Sequence, residues 1–253
     1  MDLKFLFANA KITKLLKIFG IKTIFVLKIL ISQTDMDEIL KQIRADLRRS
    51  MNGIASKSMR EKGLHYKLNF GVDIPRLREL SKKYPDNAQL AELLWKQETR
   101  ELKILATMLY PVEKFDEEKA ERWVREIPTH EIREQICMNL FQKSAFADKM
   151  GAMWIADSDD NIRATGYWLY ARLALSQPEI KQKVDENAVV EKAIGDLCSD
   201  SYFMRNAARN ALTFAGRNSK ELSQKILLDI QDFKTSDDAI KNEIYDSLSF
   251  EFE

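Results

Sequence analysis

Between residues 102 and 241 of this 253-residue sequence, five units can be aligned on an apolar residue followed at once by a basic one. The steps are Leu102-Lys103, Ile132-Arg133, Ile162-Arg163, Met204-Arg205 and Ile240-Lys241, spaced by 30, 30, 42 and 36 residues. Each interval has room for two helices and two turns. Eight positions after each step stands another apolar residue (Tyr110, Leu140, Tyr170, Leu212, Leu248), which keeps both on one helical face. Oxygen-bearing candidates for helix caps precede the steps: Thr99, Thr129, Asp159, Asp200 or Ser199, and Ser236. Trp95, Trp123 and Trp154 close the first helix of three units, and Leu197 and Phe233 stand in their place in the other two. At that spacing the tryptophans read as packing anchors between units rather than as a cofactor box.

One helix pair cannot bury its own apolar face, so units of this kind stack and curve into a superhelix with a concave side. The expected fold is therefore all-α, a HEAT-like α-solenoid. Composition agrees. Eight Gly and five Pro are few for a sheet-rich chain of this length, and 45% apolar residues suffice for a continuous core. An amphipathic pattern, Ile39, Leu40, Ile43 and Leu47, opens the domain read over residues 36–253.

Residues 1–35 are apolar but pierced by Lys4, Lys11, Lys14, Lys17, Lys22 and Lys28. The lysines interrupt both a secretory signal and a membrane span. Two readings are open. One is a basic amphipathic segment lying on a membrane or partner. The other, which is favoured, is an upstream extension with the functional protein beginning at Met36. Without that segment no membrane contact is expected.

The net charge of +1 argues against indiscriminate polyanion binding, but the charge is unevenly spread. Residues 36–253 carry −3, the 41–84 stretch carries twelve bases against four acids, and the chain from Asp229 onward carries eight acids and two lysines. A polyanion should land on the basic front. The row Lys103, Arg133, Arg163, Arg205 and Lys241 could track phosphates. Glu98, Glu131, Asp160, Asp200 and Asp238 nearby favour a mainly structural role for it, as ion-pair partners. Lys67, Arg172 and Arg209, without an obvious partner, are better candidates for ligand contact.

The run Leu68-Asn69-Phe70-Gly71-Val72-Asp73-Ile74-Pro75-Arg76-Leu77-Arg78-Glu79-Leu80 resembles the early signature of AlkD-type DNA alkylation repair proteins. Gly71 permits a tight turn, Asp73 can cap, and Pro75 suits a first helical turn. The likeness continues through Glu101–Ala106, Gln135–Phe141 and the helix from Asp159 to Leu173, and covers about residues 36–216. It implies a HEAT-like superhelix holding double-stranded DNA on its concave face, with release of N3- or N7-alkylated purines such as 3-methyladenine and 7-methylguanine. The family's site combines a carboxylate beside a Trp, an Arg on the next second helix, and a Trp-and-Arg pair on the one after.

Here His130-Glu131-Ile132-Arg133-Glu134 keeps the carboxylate at Glu134 and replaces the Trp by His130. The expected Arg is Ala164, beside Arg163; the last pair is Asn210 and Thr213; and Lys62 stands where an early aromatic contact is common. The resemblance makes Glu134 the catalytic candidate. Lys62, Lys67, Asp73, His130, Arg133, Arg163, Arg172, Arg205 and Arg209 are the DNA-contact candidates. The alternative is a non-catalytic scaffold that binds a protein partner on the concave face.

No other chemistry is legible. Cys137 and Cys198 form no CxxC, and with only His65 and His130 a zinc site is not expected. Asp157-Ser-Asp-Asp160 lacks the Gly and terminal Glu of a calcium loop and reads as a turn and cap. No cofactor is expected. A monomer in a reducing, cytoplasmic compartment is the default.

Overall fold

The computed structural model describes residues 36–176 and 184–253, so the expectation for residues 1–35 lies outside them. Three helices lead the chain: α1 (36–49), α2 (Gly53–Glu61) and α3 (Ile74–Ser81). Five helix pairs follow: α4 (Ala88–Trp95) with α5 (Arg100–Leu109), α6 (Glu117–Arg125) with α7 (His130–Asn139), α8 (Ala147–Ile155) with α9 (Asp160–Ser176), α10 (Glu186–Asp196) with α11 (Tyr202–Asn218), and α12 (Lys220–Asp229) with α13 (Ala239–Phe252). Among the described residues the β-structure is one isolated parallel bridge, Leu68 to Thr99. No described helix is long and apolar enough to cross a membrane.

Every apolar-basic step falls in the second helix of a pair. Leu102, Ile132, Ile162 and Met204 are buried, as are Tyr110, Leu140, Tyr170, Leu212 and Leu248 eight positions on. Ile240 departs from the pattern and is 45% exposed. The tryptophans are packing anchors. The Trp95 and Trp123 rings stack at 4.2 Å and 3° across adjacent units, and Trp154 is buried against Phe141. Second helices pack on second helices from α5 to α13, whereas neighbouring first helices touch less. The second-helix side is thus the shorter, concave one, and the half-exposed residues of those helices line its wall.

Two caps differ from expectation. Ser201, not Asp200 or Ser199, accepts from Met204 N at 3.4 Å, and Asp238, not Ser236, accepts from Ile240 N at 2.9 Å. Thr99 holds the cap position but makes no side-chain cap bond. Thr129 and Asp159 cap through their side chains.

Two glycines allow backbones to touch. Gly71 has φ +70°, and a Cβ there would lie 2.2 Å from the Asn52 carbonyl oxygen and 2.7 Å from Ser56 N. A Cβ on Gly166, in α9, would lie 2.6 Å from Ile155 N of α8. Beyond the Gly71 turn, Asp73 accepts from Arg76 N at 2.7 Å and Pro75 occupies the first turn of α3.

Candidate nucleic-acid interface

The wall's base is pinned by an ionic cluster that holds the Leu68–Val72 turn against the first two pairs. Arg100 is 1% exposed; it donates to Glu131 at 2.6 and 2.8 Å, to Glu101 at 3.0 Å and to the Val72 carbonyl at 2.7 Å. Burial works against its charge, but Glu131 and Glu101 together outweigh that and raise its pKa. Glu101, fully buried, also accepts from Phe70 N and Val72 N. Tyr66 completes the cluster, sharing a 2.6 Å hydrogen bond with Thr129 and donating to Glu131 at 3.2 Å.

The basic row is structural, with other partners than the sequence suggested. Lys103 donates to the Trp95 carbonyl and sits over that indole. Arg133, 3% exposed, reaches forward to Thr165 and Asn161 of α9, and burial lowers its pKa. Arg163 pairs with Asp196 at 2.7 Å and Asp160 at 2.6 Å and also bonds the Asp157 and Ser158 carbonyls. Arg205 donates to the carbonyls of Ser199 and Asp200, and Lys241 lies over the Phe233 ring. Of the five expected acids only Asp160 partners its row member. Glu98 pairs with Lys67, Glu131 with Arg100, Asp200 offers its carbonyl, and Asp238 caps α13. Arg133 and Arg163 are therefore spent inside the repeat.

The remaining candidates sit on or near the surface. Lys62 is exposed at the C-terminal end of α2, Lys67 forms an exposed 3.1 Å pair with Glu98, and Asp73 is occupied as a cap. Arg172 donates to Gln142, and Arg209 to Ser247 and Asn206. These last two stand on the concave wall, and their side-chain partners there are neutral.

At the centre of the wall His130 Nε2 lies 3.0 Å from Glu134 Oε1, and the carboxylate is 39% exposed. The imidazole meets the edge of Trp168 at 5.1 Å and the ring of Phe203 at 5.4 Å, and Phe203 meets Tyr202 at 5.6 Å. An aromatic strip thus runs from Trp168 of α9 through His130 of α7 to Phe203 and Tyr202 of α11, the last two 51% and 65% exposed. His130 Nδ1 and Trp168 Nε1 are buried without a hydrogen-bond partner. The sequence reading missed Trp168, Tyr202 and Phe203. The register held a signal: five positions past the basic residue come Met108, Met138, Trp168 and Asn210, all half-buried on the wall side.

Residues 31–231 match the model of a family described as DNA alkylation repair enzyme. The chain belongs to the DNA alkylation repair enzyme family. Among solved structures it is similar to one described as a new family of proteins related to the HEAT-like repeat DNA glycosylases with affinity for branched DNA structures. That match has 18% identity and a TM-score of 0.63, and covers 76% of this chain and 81% of the other. Two designed armadillo repeat proteins match at 13% and 14% identity, with TM-scores of 0.38 and 0.41. Each match covers 71% of this chain and 92% of the other. No curated protein matches.

As a DNA alkylation repair family member the chain departs from the AlkD-type site in a definable way. Ala164 is buried, and neighbouring Arg163 is turned into the stack. Asn210 and Thr213 line a wall hollow beside Trp168 where a Trp-and-Arg pair is expected. Of the expected set, the wall presents the Glu134 carboxylate beside the His130 imidazole and the aromatic strip.

Proposed function

We propose that this protein binds DNA along its concave wall and is selective for places where base planes are exposed, such as branch points, ends and distortions. The observation that carries the reading is the strip Trp168–His130–Phe203–Tyr202, contributed by three successive second helices and flanked by Arg172 and Arg209. Aromatic faces stack on any exposed base, and the arginines supply phosphate contacts. Intact duplex presents no such planes in its grooves. Membership of a DNA alkylation repair family supports the reading. So does the similarly folded protein described as having affinity for branched DNA structures.

Glu134 favours a second, enzymatic reading. An accessible carboxylate on the wall suits stabilisation of an oxocarbenium-like sugar during release of an N3- or N7-alkylated purine. The absence of an arginine at Ala164 and at Thr213 weakens it, since nothing there holds the phosphates on either side of the lesion.

Fluorescence anisotropy with a four-way junction and a duplex of equal length, across a salt series, tests the first reading. Two or three phosphate contacts predict a log–log salt slope of about −2 to −3 and tighter binding to the junction. Absence of binding to either DNA at low salt would leave the protein-scaffold alternative. Release of 7-methylguanine above the spontaneous rate, abolished by Glu134→Gln, would establish the enzyme.

A further inference from the structure

We propose that a hollow between α11 and α13 receives one unpaired guanine of the bound DNA. The inference rests on the DNA-binding reading above and adds a base pocket to it. The hollow measures about 270 Å³ and is lined by Tyr202, Arg205 and Arg209 from α11 and by Ile240, Glu243 and Ile244 from α13. Small-molecule pockets begin at about 300 Å³, so this one suits a single base rather than a whole nucleotide.

Its apolar walls are uncovered side chains. Tyr202 is 65% exposed, and Ile240 is the one apolar-basic step residue that leaves the core. An aromatic plane and an aliphatic side chain are what a base ring needs for stacking. Tyr202 is also the end of the strip that runs from Trp168 through His130 and Phe203, so a strand lying on the strip passes the mouth of the hollow.

The polar groups select the base. Arg209 is held by Ser247 Oγ at 3.2 Å and Asn206 Oδ1 at 3.1 Å, and Arg205 by two main-chain carbonyls. Glu243 lines the same hollow, and the bonds that hold the two arginines go elsewhere. A carboxylate and guanidinium groups left apart in one hollow match a ligand with paired donors on one edge and acceptors on another. Guanine offers N1–H and N2–H side by side to a carboxylate and O6 with N7 to an arginine. Cytosine, adenine and thymine each offer only one donor group on that edge. An unpaired base also costs least to turn out of the stack.

The test uses labelled duplexes carrying a single bulged guanine, a single bulged cytosine or no bulge. Affinities are measured by anisotropy for the full chain and for Glu243→Gln. The expected result is about a tenfold preference for bulged guanine over bulged cytosine, falling below about threefold in Glu243→Gln. Equal affinity for the two bulges, or a preference that survives Glu243→Gln, overturns the pocket while leaving the DNA reading intact. Failure to bind any of the three duplexes removes the DNA reading, and the pocket with it. Titration with guanosine monophosphate alone separates the sources. Tight binding of the free nucleotide that is lost in Glu243→Gln yet competes with neither bulge would reassign the hollow to a soluble ligand and also overturn the proposal.

Discussion

Replacing Arg100 by methionine should be among the most destabilising single changes in this chain. The guanidinium is 1% exposed and makes four hydrogen bonds, two to Glu131, one to Glu101 and one to the Val72 carbonyl. Methionine fills similar space, so little of the effect comes from packing. The cost is electrostatic. Glu101, at 0% exposure, keeps its Phe70 and Val72 amide donors but loses its buried countercharge, and the Val72 carbonyl loses a donor.

Removing one member of a buried ion pair costs about 3–5 kcal/mol. At about 2–4 °C per kcal/mol for a chain of this size, Tm should fall by about 6–20 °C. Circular dichroism at 222 nm during thermal and urea unfolding reads the change. The double variant Arg100→Met, Glu101→Gln should recover at least about half of the loss, because glutamine still accepts from the two amides without a charge. A single-variant loss below about 1 kcal/mol, or a double variant worse than the single, would refute the claim that the cluster pins the turn.

Three further outcomes follow from local geometry. Gly166→Ala forces a methyl to 2.6 Å from Ile155 N, so α8 and α9 must separate; urea unfolding should show a loss of about 1–3 kcal/mol. In thiol titration of the native protein Cys198 should react and Cys137 should not, since burial pushes the Cys137 thiol up to about 12; both should react in denaturant. Asp46 accepts from Arg49 and from Tyr84 at 2.8 Å. Burial opposes its charge, yet these partners hold its pKa below the usual value. Its stabilisation is therefore present above the unfolded carboxyl pKa of about 3.9 and is lost as pH falls through the lower folded value. Asp46→Asn should cost about 1–3 kcal/mol near pH 7, a gap that closes on acidification in urea midpoints measured at several pH values.

The sequence by itself determined the repeat. Period-3.6 apolar residues at intervals of 30 to 42 leave a chain no way to bury them except by stacking helix pairs, and the five second helices lie where the steps place them. The Gly71 turn was legible for a related reason: a positive φ is a local demand that glycine meets most readily, whereas the close approach of the Asn52 backbone, 19 residues away, was not legible. What only the tertiary structure decided is where charged and aromatic groups point across units. Arg133 and Glu131 stand two residues apart, yet one reaches forward to α9 and the other back to Arg100 of α5. Ile240 shares its register with four buried residues and faces a hollow instead. Trp168, which no apolar rule separates from a core tryptophan, meets His130 from another helix and makes the wall aromatic. Helical periodicity assigns a residue to a face of its own helix, but the partner on that face lies about one repeat away and is chosen by how the units pack.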